Sequence, residues 1–74
     1  MNELTDLVAR ASEGPPQAGL AAVAQLRELV DRWEEDHVRS ARREGWAWAE
    51  IARVLGRHRQ AVHREYARRL SGET

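Results

Sequence analysis

Between Trp48 and Tyr66 the chain reads WAEIARVLGRHRQAVHREY, two short helical patterns divided by Gly56. Trp48, Ile51, Ala52 and Leu55 fall at i, i+3, i+4 and i+7, one complete apolar stripe of a helix. Val62, Tyr66 and Leu70 make the inner face of a second helix opening near His58. Ala52 is small where the two helices must cross closely, and Leu55 and Val62 flank the turn from either side. Gly56 supplies the backbone freedom that a tight turn needs. Upstream, Ala47 is placed as an N-cap with Glu50 three positions later, and Trp46 is spaced to staple onto Ile51. Alanine has no capping side chain, so only half of that device is present.

The rest of the chain reads as helix too, because no segment alternates with period two and β-branched residues are scarce. A first helix is expected over about 3–11, with Leu4, Leu7, Val8 and Ala11 on one face, ended by Gly14-Pro15-Pro16. A long second helix is expected over about 17–44. Val23, Leu26, Val30, Trp33, His37 and Ala41 form its stripe, while Leu20, Leu29 and Val38 lie off the stripe's centre. Gly45 is placed to end it in a left-handed cap. Trp33 and Trp48 read as core residues and Glu34-Glu35-Asp36 as a solvated run. Ser71 to Thr74 read as a frayed tail. The expected fold is therefore all-α, a short helix, a long helix and then a closely joined helix pair. An N-terminal helical segment (residues 1–30) would precede the domain carrying that pair (residues 31–74).

Seventy-four residues make one small core, and without cysteine no disulfide or thiolate metal site can reinforce it. Net charge is zero, yet its distribution is lopsided. Residues 1–36 carry eight acids and three arginines, residues 37–74 nine arginines and four acids. A basic half joined to an acidic half suits a nucleic-acid-binding surface with a second face turned elsewhere. All twelve cations are arginine, which suits bidentate contacts to phosphate and guanine, although a GC-rich coding bias explains the missing lysine equally well. No apolar run approaches the roughly 20 residues of a membrane span, and the N-terminal residues lack a signal-peptide pattern. A cytoplasmic, nucleoid-associated protein is expected.

Glu50-Ile51-Ala52, Leu55-Gly56 and Arg59-Gln60-Ala61-Val62 together resemble the helix-turn-helix module of small bacterial regulators, including the fourth region of sigma factors. Gly45-Trp46-Ala47-Trp48 and Tyr66-Ala67-Arg68-Arg69-Leu70 are similar to short regulators of actinobacteria. The resemblance covers about 37–70, close to half of the chain. Two positions depart from it: Arg57 and His58 stand where such modules usually carry a β-branched residue and a serine or threonine. Arg57 must then lay its stem over the core, and His58 caps weakly. The resemblance implies a tri-helical DNA-binding core with its recognition helix at about 58–70 in the major groove.

With the apolar positions turned inward, Gln60, Arg64 and Ala67 face outward and His63 flanks them. Gln60 suits adenine, Arg64 suits guanine, and Ala67 suits a thymine methyl or a close backbone approach. Arg42, Arg43, Arg53, Arg57, Arg59, Arg68 and Arg69 are candidates for phosphates, which set register without choosing sequence. Leu20, Val23, Leu26 and Val30 are candidates for a homodimer interface, on the ground that so small a chain has apolar surface to spare. The alternative class is a helical adaptor that binds a sigma factor, a polymerase or another regulator, with the acidic half serving the protein partner. An enzyme is not expected, since no nucleophile lies near a base and no glycine-rich phosphate loop is present. No cofactor is expected. His58 and His63, five apart, share no helical face, so no metal site is expected either. His37 reads as a partly buried or interface histidine.

Overall fold

The computed structural model describes residues 2–71, and among them every regular element is a helix. The order is α1 (Glu3–Glu13), α2 (Pro16–Arg43), α3 (Trp48–Leu55) and α4 (Arg59–Leu70). The all-α, four-helix reading is correct. Of the expected frayed tail, Gly72 to Thr74 lie outside the described residues. The chain divides into two compact units between Trp33 and Glu34, and α2 runs through the division.

In the first unit, Asn2 caps α1, its Oδ1 accepting the Thr5 N–H at 2.8 Å. This satisfies one of the orphan donors of the first turn. Gly14 ends the helix, its N–H donating to the Arg10 carbonyl at 3.0 Å. Pro16 then opens α2 at the position where a missing N–H costs nothing. Leu7, Gly19 and Ala22 are buried here. A Cβ added at Gly19 would meet the Arg10 carbonyl oxygen at 3.4 Å, an ordinary contact. Gly19 also lies inside a helix, where glycine costs about 0.5–1 kcal/mol relative to alanine. Gly19→Ala is therefore expected to raise stability by about that amount in urea unfolding, and a loss of stability would show that the approach of α1 leaves no room for a methyl group.

The second unit holds the main core: Val38, Ile51, Ala52, Val62 and Tyr66 are buried, and Ala41, Trp46, Trp48, Leu55 and Leu70 pack against them. Its two turns share one solution. Among the described residues Gly45 and Gly56 are the two glycines with positive φ (91° and 68°), in the left-handed region that glycine enters at least cost. After Gly45 the Trp46 N–H reaches back to the Ala41 carbonyl, and after Gly56 the Arg57 N–H reaches back to Ala52. Both are six-to-one closures that satisfy carbonyls at a helix end. At the start of α3, Glu50 Oε1 accepts the Ala47 N–H at 3.0 Å, the half of the capping box that alanine permits. His58 precedes α4 without a side-chain cap bond.

Three expectations about α2 are corrected. Val38, expected off the stripe, is 3% exposed in the core, whereas Trp33, expected in a core, is 46% exposed. His37, placed on the stripe, is exposed. The register of the buried face is set by where α3 and α4 meet α2, so Val38 turns inward and its neighbour turns out. The acidic run is a solvated face only at Asp36, which is exposed, while Glu34 and Glu35 are half-buried. Glu34 accepts from the Tyr66 hydroxyl and pairs with Arg57, and Glu35 pairs with both Arg39 (3.0 Å) and Arg69 (3.1 Å).

Candidate nucleic-acid interface

The face of α4 that turns from the core is determined by Val62 and Tyr66, the two most deeply buried side chains. With those inward, Gln60, His63 and Arg64 are exposed and Ala67 is half-buried. The four candidate base-reading residues thus stand along one side of a single helix, which carries no large apolar side chain at these positions.

The two flanks of that helix differ in charge. On one flank α2 presents acids. Arg57 is shared between Glu34 and Glu65, its Nη1 lying 3.0 Å from Glu65 Oε1. Arg69 pairs with Glu35 at 3.1 Å while its guanidinium lies 5.5 Å from the Tyr66 ring centroid. These two arginines, read as phosphate ligands, have their charges neutralised within the fold. Arg57, a phosphate candidate in the sequence, is instead tied to two carboxylates here. Burial pushes the Tyr66 phenol well above its usual range, and the adjoining Glu34 carboxylate pushes it further the same way. Burial also raises the Glu34 carboxyl, but the Tyr66 hydroxyl and Arg57 more than offset it, so Glu34 stays charged below the usual carboxylate range. The hydrogen bond to Glu34 raises Arg57 above its own usual value.

The other flank is basic and aromatic. Arg42 donates from Nη1 to the Trp46 carbonyl at 2.7 Å and lies over the Trp48 ring, 4.6 Å from its centroid. Trp48 meets His63 edge-on, with centroids 5.3 Å apart and planes at 84°. Arg42, Trp48, Arg59, Gln60 and His63 line a cleft of about 480 Å³. A second cleft of about 340 Å³ continues past Arg42 and Trp48 to Arg39, Arg43, Ala67 and Leu70. Arg53, Arg59 and Arg68 are exposed. The structure therefore brings Gln60, His63 and Ala67 together with Arg42, Arg43 and Arg59 along these clefts. It sets Arg57 and Arg69 apart on the acidic flank.

Two functional contacts were missed by sequence reasoning. Glu34 as the anchor of α4 has no local signal, since its partners lie 23 and 32 positions away. Trp48, assigned to the core alone, also supports two polar candidates. The closeness of tryptophan, arginine and histidine to one turn was its available signal.

The chosen dimer residues are only partly covered: Leu20 is 71% and Val30 50% exposed, while Val23 and Leu26 are half-buried. Leu4, Val8 and Trp33 add further exposed apolar surface to this unit. Among the described residues no group of histidines and acids is disposed to hold a metal ion, and no helix is long and apolar enough to cross a membrane. Comparison with protein-family models, with curated proteins and with solved structures finds no match to this chain.

Proposed function

We propose that this chain is a sequence-specific regulator of transcription that binds double-stranded DNA through a helix-turn-helix, with α4 as the recognition helix in the major groove. The observation that carries the reading is the outer side of α4. Gln60, His63 and Arg64 stand there exposed with the half-buried Ala67, beside a cleft bearing Arg42 and Arg59. A helix docked this way reads bases with its outward polar side chains, while arginines beside it hold the phosphates. α3 is the bracing helix, and Gly56 sets the turn. Arg42, Arg43, Arg53, Arg59 and Arg68 are the phosphate ligands. Arg57 and Arg69 hold the fold instead.

A homodimer completes the reading. Leu20 and Val30 are exposed and a chain this size gains much from covering them. Two copies would offer α4 to half-sites about 34 Å apart on a palindromic target. Sedimentation at micromolar concentration should give twice the chain mass, and a monomer there removes the dimer.

Selection of bound sequences from a random duplex library tests the whole reading. A palindromic consensus is expected. Arg64→Ala should cost about 1–3 kcal/mol on that consensus and relax one base position in each half-site. Gln60→Ala should relax a different position. Unchanged affinity and preference in both variants would remove α4 as the reading helix. Absence of any selected sequence, with capture of a protein partner through α2, would favour the adaptor reading.

A further inference from the structure

Arg42 is held more firmly than an exposed arginine needs to be. It lies in the last turn of α2, and its partners are built by the turn that follows. Gly45, at φ 91°, reverses the chain so that the Trp46 carbonyl faces back onto α2 and receives Arg42 Nη1. Two residues on, the Trp48 ring lies under the same guanidinium at 4.6 Å. A carbonyl and a ring face both orient the fork without cancelling its charge. The guanidinium has five N–H donors, and one of them meets the carbonyl. The remaining fork borders the cleft that Arg59, Gln60 and His63 also line.

The same indole meets His63 at 84° on α4. Trp48 thus touches one residue placed to hold backbone and one placed to read a base. A flexible arginine loses rotamer freedom when it grips a phosphate, and one already aligned loses less.

Resting on the DNA-binding reading above, we infer that Trp48 is a positioning residue. It presets Arg42 as a backbone-phosphate anchor at the cleft between α2, α3 and α4, and registers that anchor against His63. The occupant of the cleft is a phosphate of duplex DNA, whose single charge and oxygen acceptors fit two arginines at an open cleft. Arg42 then counts as one full phosphate contact, and Trp48 acts on affinity through Arg42.

The experiment is a salt titration of binding to a fluorescent mixed-sequence DNA duplex longer than two half-sites, with circular-dichroism melts to certify that each variant folds. One phosphate contact contributes about 0.9 to the slope of log affinity against log salt, about eightfold at about 0.1 M salt. Arg42→Gln, at an exposed position, is expected to lower affinity by about that eightfold and the slope by about 0.9. Trp48→Leu should give a loss in the same direction, Trp48→Phe should restore most of it, and Trp48→Leu in the Arg42→Gln background should add nothing. A purely packing role would make the Trp48→Leu loss follow the loss of melting stability and add to that of Arg42→Gln, which overturns the inference. Where Trp48→Leu fails to fold, Arg42→Gln decides alone, and an unchanged slope overturns the anchor. Inorganic phosphate titrated at constant ionic strength should leave the Trp48 indole resonance in place. A saturable shift there reassigns the cleft to a free anion and overturns the DNA-specific anchor. Failure of the unaltered protein to bind any duplex at low salt is a different result, since it removes the DNA reading itself.

Discussion

Tyr66→Ala is expected to unfold the helical core formed by residues 34–71. The ring is 1% exposed at the centre of the cluster of Val38, Ile51, Ala52 and Val62. Truncating a buried aromatic side chain to alanine costs about 3–5 kcal/mol. A single core in a chain this small rarely supplies more than about 3–5 kcal/mol, so the loss is comparable with the whole. Glu34 would also lose its phenolic donor, leaving a carboxylate only 18% exposed to depend on Arg57. Tyr66→Phe separates the two effects. It keeps the ring and removes one charge-assisted hydrogen bond, worth about 1–2 kcal/mol after allowing for its partial exposure. Far-ultraviolet circular dichroism during urea unfolding should show the phenylalanine variant cooperative at lower urea and the alanine variant without a transition. A Tyr66→Ala curve overlying that of the parent chain would mean that the ring is not central to the core.

The elements that local patterning reveals are the ones that local physics builds. α3 carries its whole stripe within eight residues, and Gly45 and Gly56 take left-handed conformations at the two helix ends where their spacing places them. Glu50 bonds back to the Ala47 N–H because that contact spans three residues. The choice between His37 and Val38 was different. Adjacent positions on a long helix bound two possible stripes, and which one is buried depends on where α4 arrives from. That information is held in Tyr66 and Val62, more than twenty residues away. Trp33 misleads for the same reason: an apolar side chain at helical spacing reads as core whether or not anything in the chain covers it.

The candidate site was legible in its outward residues and not in its electrostatics. Gln60 and Arg64 follow from the inward positions of Val62 and Tyr66, which repeat on a single helix. Counting charge by halves of the chain placed Glu34, Glu35 and Asp36 with the acidic N-terminal part, leaving +5 in the remainder. These acids pack within the second unit, which begins at Glu34. That unit has nine arginines against seven acids, a net +2. The helix pair itself, residues 48–70, has six arginines against two acids, and it is the acids of α2 that offset Arg57 and Arg69 on one flank, leaving the side of Arg42 and Arg59 basic. Arg57 illustrates the point. A β-branched residue there would simply have covered the turn, whereas arginine ties Glu34 and Glu65 to it.

That tie makes stability sensitive to pH at both ends of the scale, with opposite signs. In the folded chain the Tyr66 phenol is held well above its usual value by burial and by the Glu34 carboxylate. A group whose folded pKa is raised contributes fully below its unfolded value, near 10, and loses that contribution as pH rises beyond it. The expected loss is about 1.4 kcal/mol for each pH unit above about 10 until the phenol ionises or the core opens. Glu34 is the reverse case. Burial raises its carboxyl, Tyr66 and Arg57 lower it further than that, and the net value lies below the usual range. Its contribution is complete above the unfolded carboxyl value and disappears as pH falls through the folded one. Tyr66 is the only tyrosine in the chain, so tyrosinate absorbance reports it without assignment. Ionisation is expected to coincide with loss of helical signal in alkali, and Tyr66→Phe should remove that alkaline limb while Glu34→Gln flattens the acid one. Ionisation of Tyr66 near pH 10 with α4 still folded would show that the phenol reaches water freely and that Glu34 does not hold the helix.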